Sequence, residues 1–227
     1  MSKYYKLLAY NINWKNMKYN KECVENINKI FVEYENKIDF LLIQEVANER
    51  NLFKNLNLKE FVIIKHKSGK ETMISLISNK YKVIKYFTGQ FIYGRPFQVI
   101  LLENNLCIIN VHFPHVDNIY TELLKISKYL DKLKVNLEDY RIIIAGDFNL
   151  DINKKIKFMN KTFGISDNKY SCCIRKYVKD IKLLFVNFDH VLDSNNKIYK
   201  TKLVYPHKNN IVLPGSDHIG LYSKILI

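Results

Sequence analysis

Apolar residues recur along the chain with two different periods. Over Asn20–Lys37, and on to Ile38, they fall at Val24, Ile27, Ile30, Phe31, Tyr34 and Ile38, which is the spacing of one face of an amphipathic helix. Ile119, Leu123, Ile126, Leu130 and Leu133 repeat that spacing and predict a second helix over Ile119–Leu133. The rest of the apolar positions form short runs bounded by turn residues, which predict strands. These are Lys6–Ile12, Phe61–His66, Met73–Ser78, Lys82–Phe87, Gln98–Leu102, Arg141–Ala145, Val186–Leu192 and His218–Leu226. Ile38–Gln44 and Cys107–His112 are almost continuously apolar, as strands buried on both faces are. Strands in groups with helices between them predict an α/β architecture of two sheets packed together under helices. No repeat, low-complexity linker or composition break interrupts the pattern, so one domain is expected over residues 1–227.

The 227 residues are 48% apolar and 26% charged, and only seven are Gly and four Pro. That composition excludes disorder, collagen, coiled coil and disulfide scaffolds as the main theme. The formal net charge of +14 points to a polyanionic partner. Only Arg50, Arg95, Arg141 and Arg175 are Arg, leaving 32 Lys, and Asn and Ile are abundant too. AT-rich codons produce such a bias, so the informative quantity is the excess of base over acid. Cys23, Cys107, Cys172 and Cys173 contain no CxxC pair and read as free thiols of a reducing compartment. The apolar run after Lys6 breaks at Asn11, so no signal peptide is read, and no run approaches the ~20 residues of a membrane span. The expected setting is intracellular, cytoplasmic or nuclear.

Chemistry-bearing residues share one location, the point where a buried strand meets its loop. Tyr10-Asn11-Ile12-Asn13, Ile43-Gln44-Glu45-Val46, Asn110-Val111-His112-Phe113, Gly146-Asp147-Phe148-Asn149, Asn187-Phe188-Asp189-His190 and Ser216-Asp217-His218 all follow it. Loops at strand ends on a rigid scaffold are where sites are built. Singly, each has a plain reading. Asn11 is a turn former, Asp147 and Asn149 suit an Asx-turn, His112 suits a satisfied core position, and Asp217-His218 suits an exposed loop. Glu45 follows an apolar run, where a carboxylate is costly unless paired or bound to metal. Six such segments in one chain are hard to explain as turns alone.

In this order, the segments resemble the endonuclease/exonuclease/phosphatase superfamily, the fold of pancreatic deoxyribonuclease and the AP endonucleases. The resemblance runs from Tyr10 to Tyr222, and Gly-Asp-Phe-Asn and Ser-Asp-His carry most of it. It implies a four-layer sandwich of two packed mixed β-sheets flanked by helices, with the site at one edge of the sheets. It also implies a Mg²⁺-dependent phosphodiesterase, with Mn²⁺ as an alternative ion. Asn11, Glu45 and Asp217 would be the metal residues. Asp147 would orient or deprotonate the attacking water, and Asn149 would hold the phosphate or its neighbours. His218 would face the scissile phosphate, paired with and charged by Asp189, and His112 would be a second phosphate-facing imidazole. Arg95, in Gly94-Arg95-Pro96, resembles a phosphate-binding Arg, and Glu71 is a loose match for the partner of His112. Asn13 stands where many relatives carry Asp, which weakens a two-metal mechanism.

The choice of substrate rests on charge. Ile152–Phe188 carries nine basic residues (Lys154, Lys155, Lys157, Lys161, Lys169, Arg175, Lys176, Lys179 and Lys182) against Asp167 and Asp180. A basic rim there favours nucleic acid, DNA ahead of RNA. A Lys-rich solvated helix face is the plainer reading. A nuclease or a DNA-end-processing or repair enzyme is therefore expected. A phosphatase on phosphoinositides or inositol phosphates, and a catalytically silent nucleic-acid-binding module, are the alternatives. Gln-Glu with Ser-Asp-His also occurs in relatives with tyrosyl-DNA phosphodiesterase activity. Trp14 could stack on a base or sugar, or simply pack. The oligomeric state is left open, with a monomer admissible.

Overall fold

The structure, a computed structural model, describes residues 3–47, 49–115, 118–152, 154–167, 171–172, 186–205, 207–208, 211–212 and 215–227. In chain order these residues form β1 (Tyr4–Asn11), α1 (Trp14–Tyr19), α2 (Lys21–Tyr34), β2 (Phe40–Val46), α3 (Glu49–Leu52), β3 (Phe61–Ser68), β4 (Glu71–Ser78), β5 (Val83–Gln90), β6 (Pro96–Leu102), β7 (Leu106–His112), α4 (Ile119–Lys132) and β8 (Arg141–Asp147). Then follow β9 (Ile156–Phe158), β10 (Lys161–Ile165), β11 (Asp189–Asp193), β12 (Ile198–Val204), β13 (His207–Lys208), β14 (Ile211–Val212) and β15 (Gly220–Leu226). A six-stranded sheet runs β12-β15-β1-β2-β4-β3 and a seven-stranded sheet runs β5-β6-β7-β8-β11-β10-β9. β13 and β14 pair only with each other.

Strand alternation builds the layers. In β1, Leu7 and Ala9 join Phe40, Leu42, Ile100, Ile108, Ile143 and Val191 in a core between the sheets. Leu8 and Tyr10 join Val24, Ile27 and Phe31 under α2. On the other side, Val111, Ile142 and Ile144 pack against Ile119, Leu123, Ile126 and Leu130 of α4. The result is helix, sheet, sheet, helix. Both helices begin at Asn: the Asn20 side chain accepts from Cys23 N at 3.2 Å, and that of Asn118 from Tyr120 N at 2.9 Å.

Each sheet is antiparallel except for one parallel pair joined through helix, β1–β2 and β7–β8. All four strands therefore point the same way within their pairs, and the residues at their C-terminal ends meet at one rim. The opposite end of β1 lies beside the end of β15, with Tyr4 opposite Leu226 and Ile227 N donating to Lys3 O at 3.2 Å.

Cys23 and Cys107 are free and buried, but Cys172 is disulfide-bonded to a partner outside the described residues, which corrects the expectation of four free thiols. Among the described residues, no helix is long and apolar enough to cross a membrane.

Candidate active site

Backbone irregularities aim the side chains at the rim. β2 is out of register with β4 between Ile43 and Val46, and Glu45 within that bulge has φ 55°. A bulge of this kind re-aims one side chain; here it turns the carboxylate toward Arg95 instead of along the strand. Gly146 has φ 137°, and a Cβ there would overlap Val111 O and lie 2.9 Å from Gln44 Nε2. Only glycine lets β8 approach β7 and β2 so closely while presenting Asp147.

Asp147 is central and 1% exposed. Its Oδ1 accepts from Asn149 N at 2.8 Å, an Asx-turn, and its Oδ2 accepts from Asn11 Nδ2 at 2.8 Å. Two imidazoles approach the same Oδ2, His112 Nε2 at 3.4 Å and His218 Nε2 at 3.6 Å. Each imidazole has a carboxylate behind it. His112 Nδ1 lies 2.9 Å from Glu71 Oε2, and His218 Nδ1 lies 2.9 Å from Asp189 Oδ2. The first contact is close but poorly aligned as a hydrogen bond, and Glu71 Oε2 and His112 Nε2 are both buried without one. Cys172 Sγ lies 3.3 Å from His218 Nε2.

These environments drive the two imidazoles apart. Burial disfavours the charged form of each. At His112 burial dominates, with Arg95 adding to it against Asp147, and the pKa falls to about 4. At His218 burial acts the same way, but Asp189 and Asp147 overcome it and raise the pKa to about 10. At neutral pH one is an imidazole and the other an imidazolium. Burial also raises the Glu71 carboxyl, opposed by Arg95.

Arg95 Nη1 reaches Glu45 Oε1 at 3.2 Å, Glu71 and His112 Nδ1 at 3.2 Å. Asn11 links Glu45, at 3.3 Å, to Asp147. Asp217 is set slightly apart, its Oδ1 accepting from Asn13 Nδ2 at 2.7 Å. Ser216 Oγ holds that segment to β1 by donating to Asn11 O at 2.7 Å. Asn149 Nδ2 donates to Phe113 O at 2.8 Å, which closes the loop after β8 onto the loop after β7. The structure thus brings Asn11, Glu45, Arg95, His112, Asp147, Asp189 and His218 together, with Glu71 among them. Asp217 and Asn149 sit beside this group on backbone and amide contacts. Glu45, Glu71 and His112 form one cluster able to hold a metal, and Asp147, Asp189 and His218 another.

Sequence reasoning missed the polar chain behind the site. Gln44 Nε2 donates to Asn110 Oδ1 at 2.6 Å, Asn110 Nδ2 to Ser75 Oγ at 3.0 Å, and Ser75 Oγ to Gln98 Oε1 at 2.6 Å. All four residues are fully buried and they bridge the two sheets. The available signal was a polar residue inside an apolar run, in Phe-Gln-Val and Ile-Ser-Leu. Of the proposed basic rim, Lys154, Lys155 and Lys157 are exposed, while Lys169, Arg175, Lys176, Lys179 and Lys182 lie outside the described residues. The side chain of Trp14 also lies outside them.

No protein-family model matches the chain. An uncharacterized protein of Acanthamoeba polyphaga mimivirus is 30% identical over 232 residues, spanning 89% of this chain and 43% of the relative. The chain thus spans less than half the length of that curated relative. Among solved structures, truncated Caenorhabditis elegans TDP2 superposes with a TM-score of 0.72 at 17% identity, covering 99% of this chain and 98% of the other. D. rerio TDP2 complexed with single strand DNA product gives 0.69 at 14% identity, and the endonuclease/exonuclease/phosphatase from Bacteroides vulgatus gives 0.70 at 13%, each covering 100% of both chains. With the two mixed sheets and the order of the rim segments, these likenesses establish that the chain has the endonuclease/exonuclease/phosphatase fold.

Proposed function

We propose that this protein is a divalent-metal-dependent phosphodiesterase that cleaves nucleic acid. One observation carries the reading: two imidazole–carboxylate pairs, His112–Glu71 and His218–Asp189, converge on Asp147 Oδ2. A phosphodiester is anionic and its alkoxide leaves poorly, so hydrolysis needs charge neutralisation, an oriented water and a proton for the leaving oxygen. Groups whose environments push their pKa values apart identify the acid and the base. His218, charged at neutral pH, offsets negative charge on the phosphate and supplies the proton. His112, uncharged at neutral pH, brings its Nε2 to 3.4 Å from Asp147 Oδ2, and these two orient the water and take its proton. Arg95, with its planar fork, suits a phosphate oxygen.

A cation fits the donor set. Glu45, Glu71, Asp147 and Asp189 outnumber Arg95 and the charged His218, so the basin has excess negative charge to neutralise. The carboxylate oxygens among these donors suit Mg²⁺. Glu45 would hold the ion, with Asn11 and Asp217 as neighbouring oxygen donors. A bound divalent ion neutralises phosphate charge and acidifies water.

Nucleic acid is the substrate class that matches the +14 charge, and a relative in fold is known with single strand DNA product. The test is cleavage of labelled single-stranded, duplex, abasic and RNA oligonucleotides across Mg²⁺ and Mn²⁺ concentrations, beside an inositol phosphate. Cleavage should vanish with chelator, and Glu45→Ala should abolish it at limiting metal while the fold persists. Phosphate release from the inositol phosphate alone would replace the reading with a phosphatase. Tight oligonucleotide binding without cleavage under any divalent metal would replace it with a silent binding module.

A further inference from the structure

Arg95 stands on the tip joining β5 to β6, and that tip is rigid. Phe91 N donates to Arg95 O at 2.7 Å. The Phe91 ring is buried, with centroids 4.9 Å from both Phe97 and Phe113. Gln90 Oε1 accepts from Ser68 Oγ at 2.6 Å, which braces the tip against the β3–β4 turn. Arg95 itself is fixed by Glu45, Glu71 and His112.

Within this frame Tyr93 is anomalous in two independent ways. The residue is 88% exposed, the highest value among the exposed large hydrophobic residues described. Its backbone lies at φ 61°, ψ 17°, the left-handed region that bulky residues avoid. Gly94 follows at φ 71°, so two residues in succession have positive φ in the turn that carries this exposed side chain. Strain of this kind persists only where the surroundings over-determine it, and it concentrates at ligand clamps. An aromatic ring held in water adds no folding energy, and glycine or asparagine would fit the turn better. Two residues span at most about 7 Å, so the ring stands within a nucleotide's reach of Arg95. Lys70, exposed on the adjoining β3–β4 turn, adds positive charge on the same side.

We propose that Tyr93 is a stacking platform for an unpaired base of the nucleic-acid strand whose phosphate Arg95 contacts. The proposal rests on the nuclease reading above. Every base has a π-face, so such a platform binds strands without reading sequence. It requires the base to be splayed from a duplex, which favours single strands, ends and damaged sites over intact duplex.

The test is a cycle between the ring and the base. Binding of a fluorescent single-stranded oligonucleotide is measured by anisotropy under non-cleaving conditions, with each nucleotide in turn replaced by an abasic sugar. In the natural protein one abasic position should weaken binding roughly 5- to 150-fold. Tyr93→Gly should weaken binding by a similar factor and become indifferent to that position. Tyr93→Trp and Tyr93→Phe should keep the sensitivity. Because glycine suits φ 61°, Tyr93→Gly should melt no lower than the natural protein, which separates lost stacking from lost folding. If oligonucleotides bind and are cleaved under divalent metal, but Tyr93→Gly binds as the natural protein does at every position, the platform is wrong and the nuclease reading stands. If no oligonucleotide binds or is cleaved, both fall.

Discussion

Replacing Asp189 by Asn tests the coupled pair at the heart of the site. The side chain keeps its size and an oxygen for His218 Nδ1, and loses only its charge. Asp189 at 2.9 Å and Asp147 at 3.6 Å both favour the charged imidazole, and only the nearer charge is removed. Burial opposes both, and the net effect in the natural protein is an imidazole moved from 6.5 to about 10. Removing one charged neighbour typically shifts a pKa by about 1–3, so His218 in Asp189→Asn should titrate near 7–9. The sign for stability follows from the direction. A raised imidazole contributes stability that is fully present below pH 6.5 and is lost as pH rises through about 10. Between pH 6 and 9.5 the natural protein should therefore lose about 4 kcal/mol from this group, and a variant titrating near 8 should lose about 2 kcal/mol. Other groups titrate alike in both proteins and cancel. Histidine side-chain NMR and denaturant unfolding in metal-free buffer read the two quantities. Turnover should fall ~10²–10⁴-fold in Asp189→Asn and in His218→Ala. The double variant should cost little more than the worse single, because the two residues act as a unit. An unchanged His218 titration, equal pH losses in both proteins, or additive rate losses would refute the coupling.

Two further outcomes separate the site from its scaffold. Gly146→Ala should destabilise the protein by about 3 kcal/mol or more, since the methyl group meets Val111 O at φ 137°, and chemical denaturation would measure it. Arg141→Met should cost about 3–5 kcal/mol by stranding Asp193, a fully buried carboxylate now held at 2.8 and 3.0 Å; cleavage per folded molecule should be unchanged, because this pair lies at the other end of β8 from Asp147.

The elements that face apolar neighbours on one or both sides were legible in the sequence. The helix expected over Asn20–Lys37 is α2 with Asn20 as its cap and a 3-10 turn over Glu35–Lys37, and Ile119–Leu133 is α4 to within one residue. Most strands end within two or three residues of expectation. β12 was missed because as an edge strand it exposes Tyr199, Lys200 and Lys202, so its run reads as polar loop. β9, of three residues, is too short to show a period. At the site, residue types at strand ends pointed to side chains that the structure brings together at one rim, but their geometry could not be read. Glu45 departs from alternation through its bulge, which no local pattern encodes. Glu71 was placed only loosely, since its contact with His112 joins strands from different sheets. Tyr93 was invisible, because its left-handed backbone contradicts its own propensity.

The meeting of Lys3 with Ile227 has a practical consequence for handling the molecule. β1 begins there and runs eight residues before reaching Asn11, a distance of about 26 Å. Anchoring this chain by either end, on a bead or a sensor surface, should leave the rim that carries Asn11 turned away from the support. Joining the two ends through a short linker and opening the chain at an exposed turn, such as Asn104–Asn105 between β6 and β7, should yield a circular permutant with the rim undisturbed.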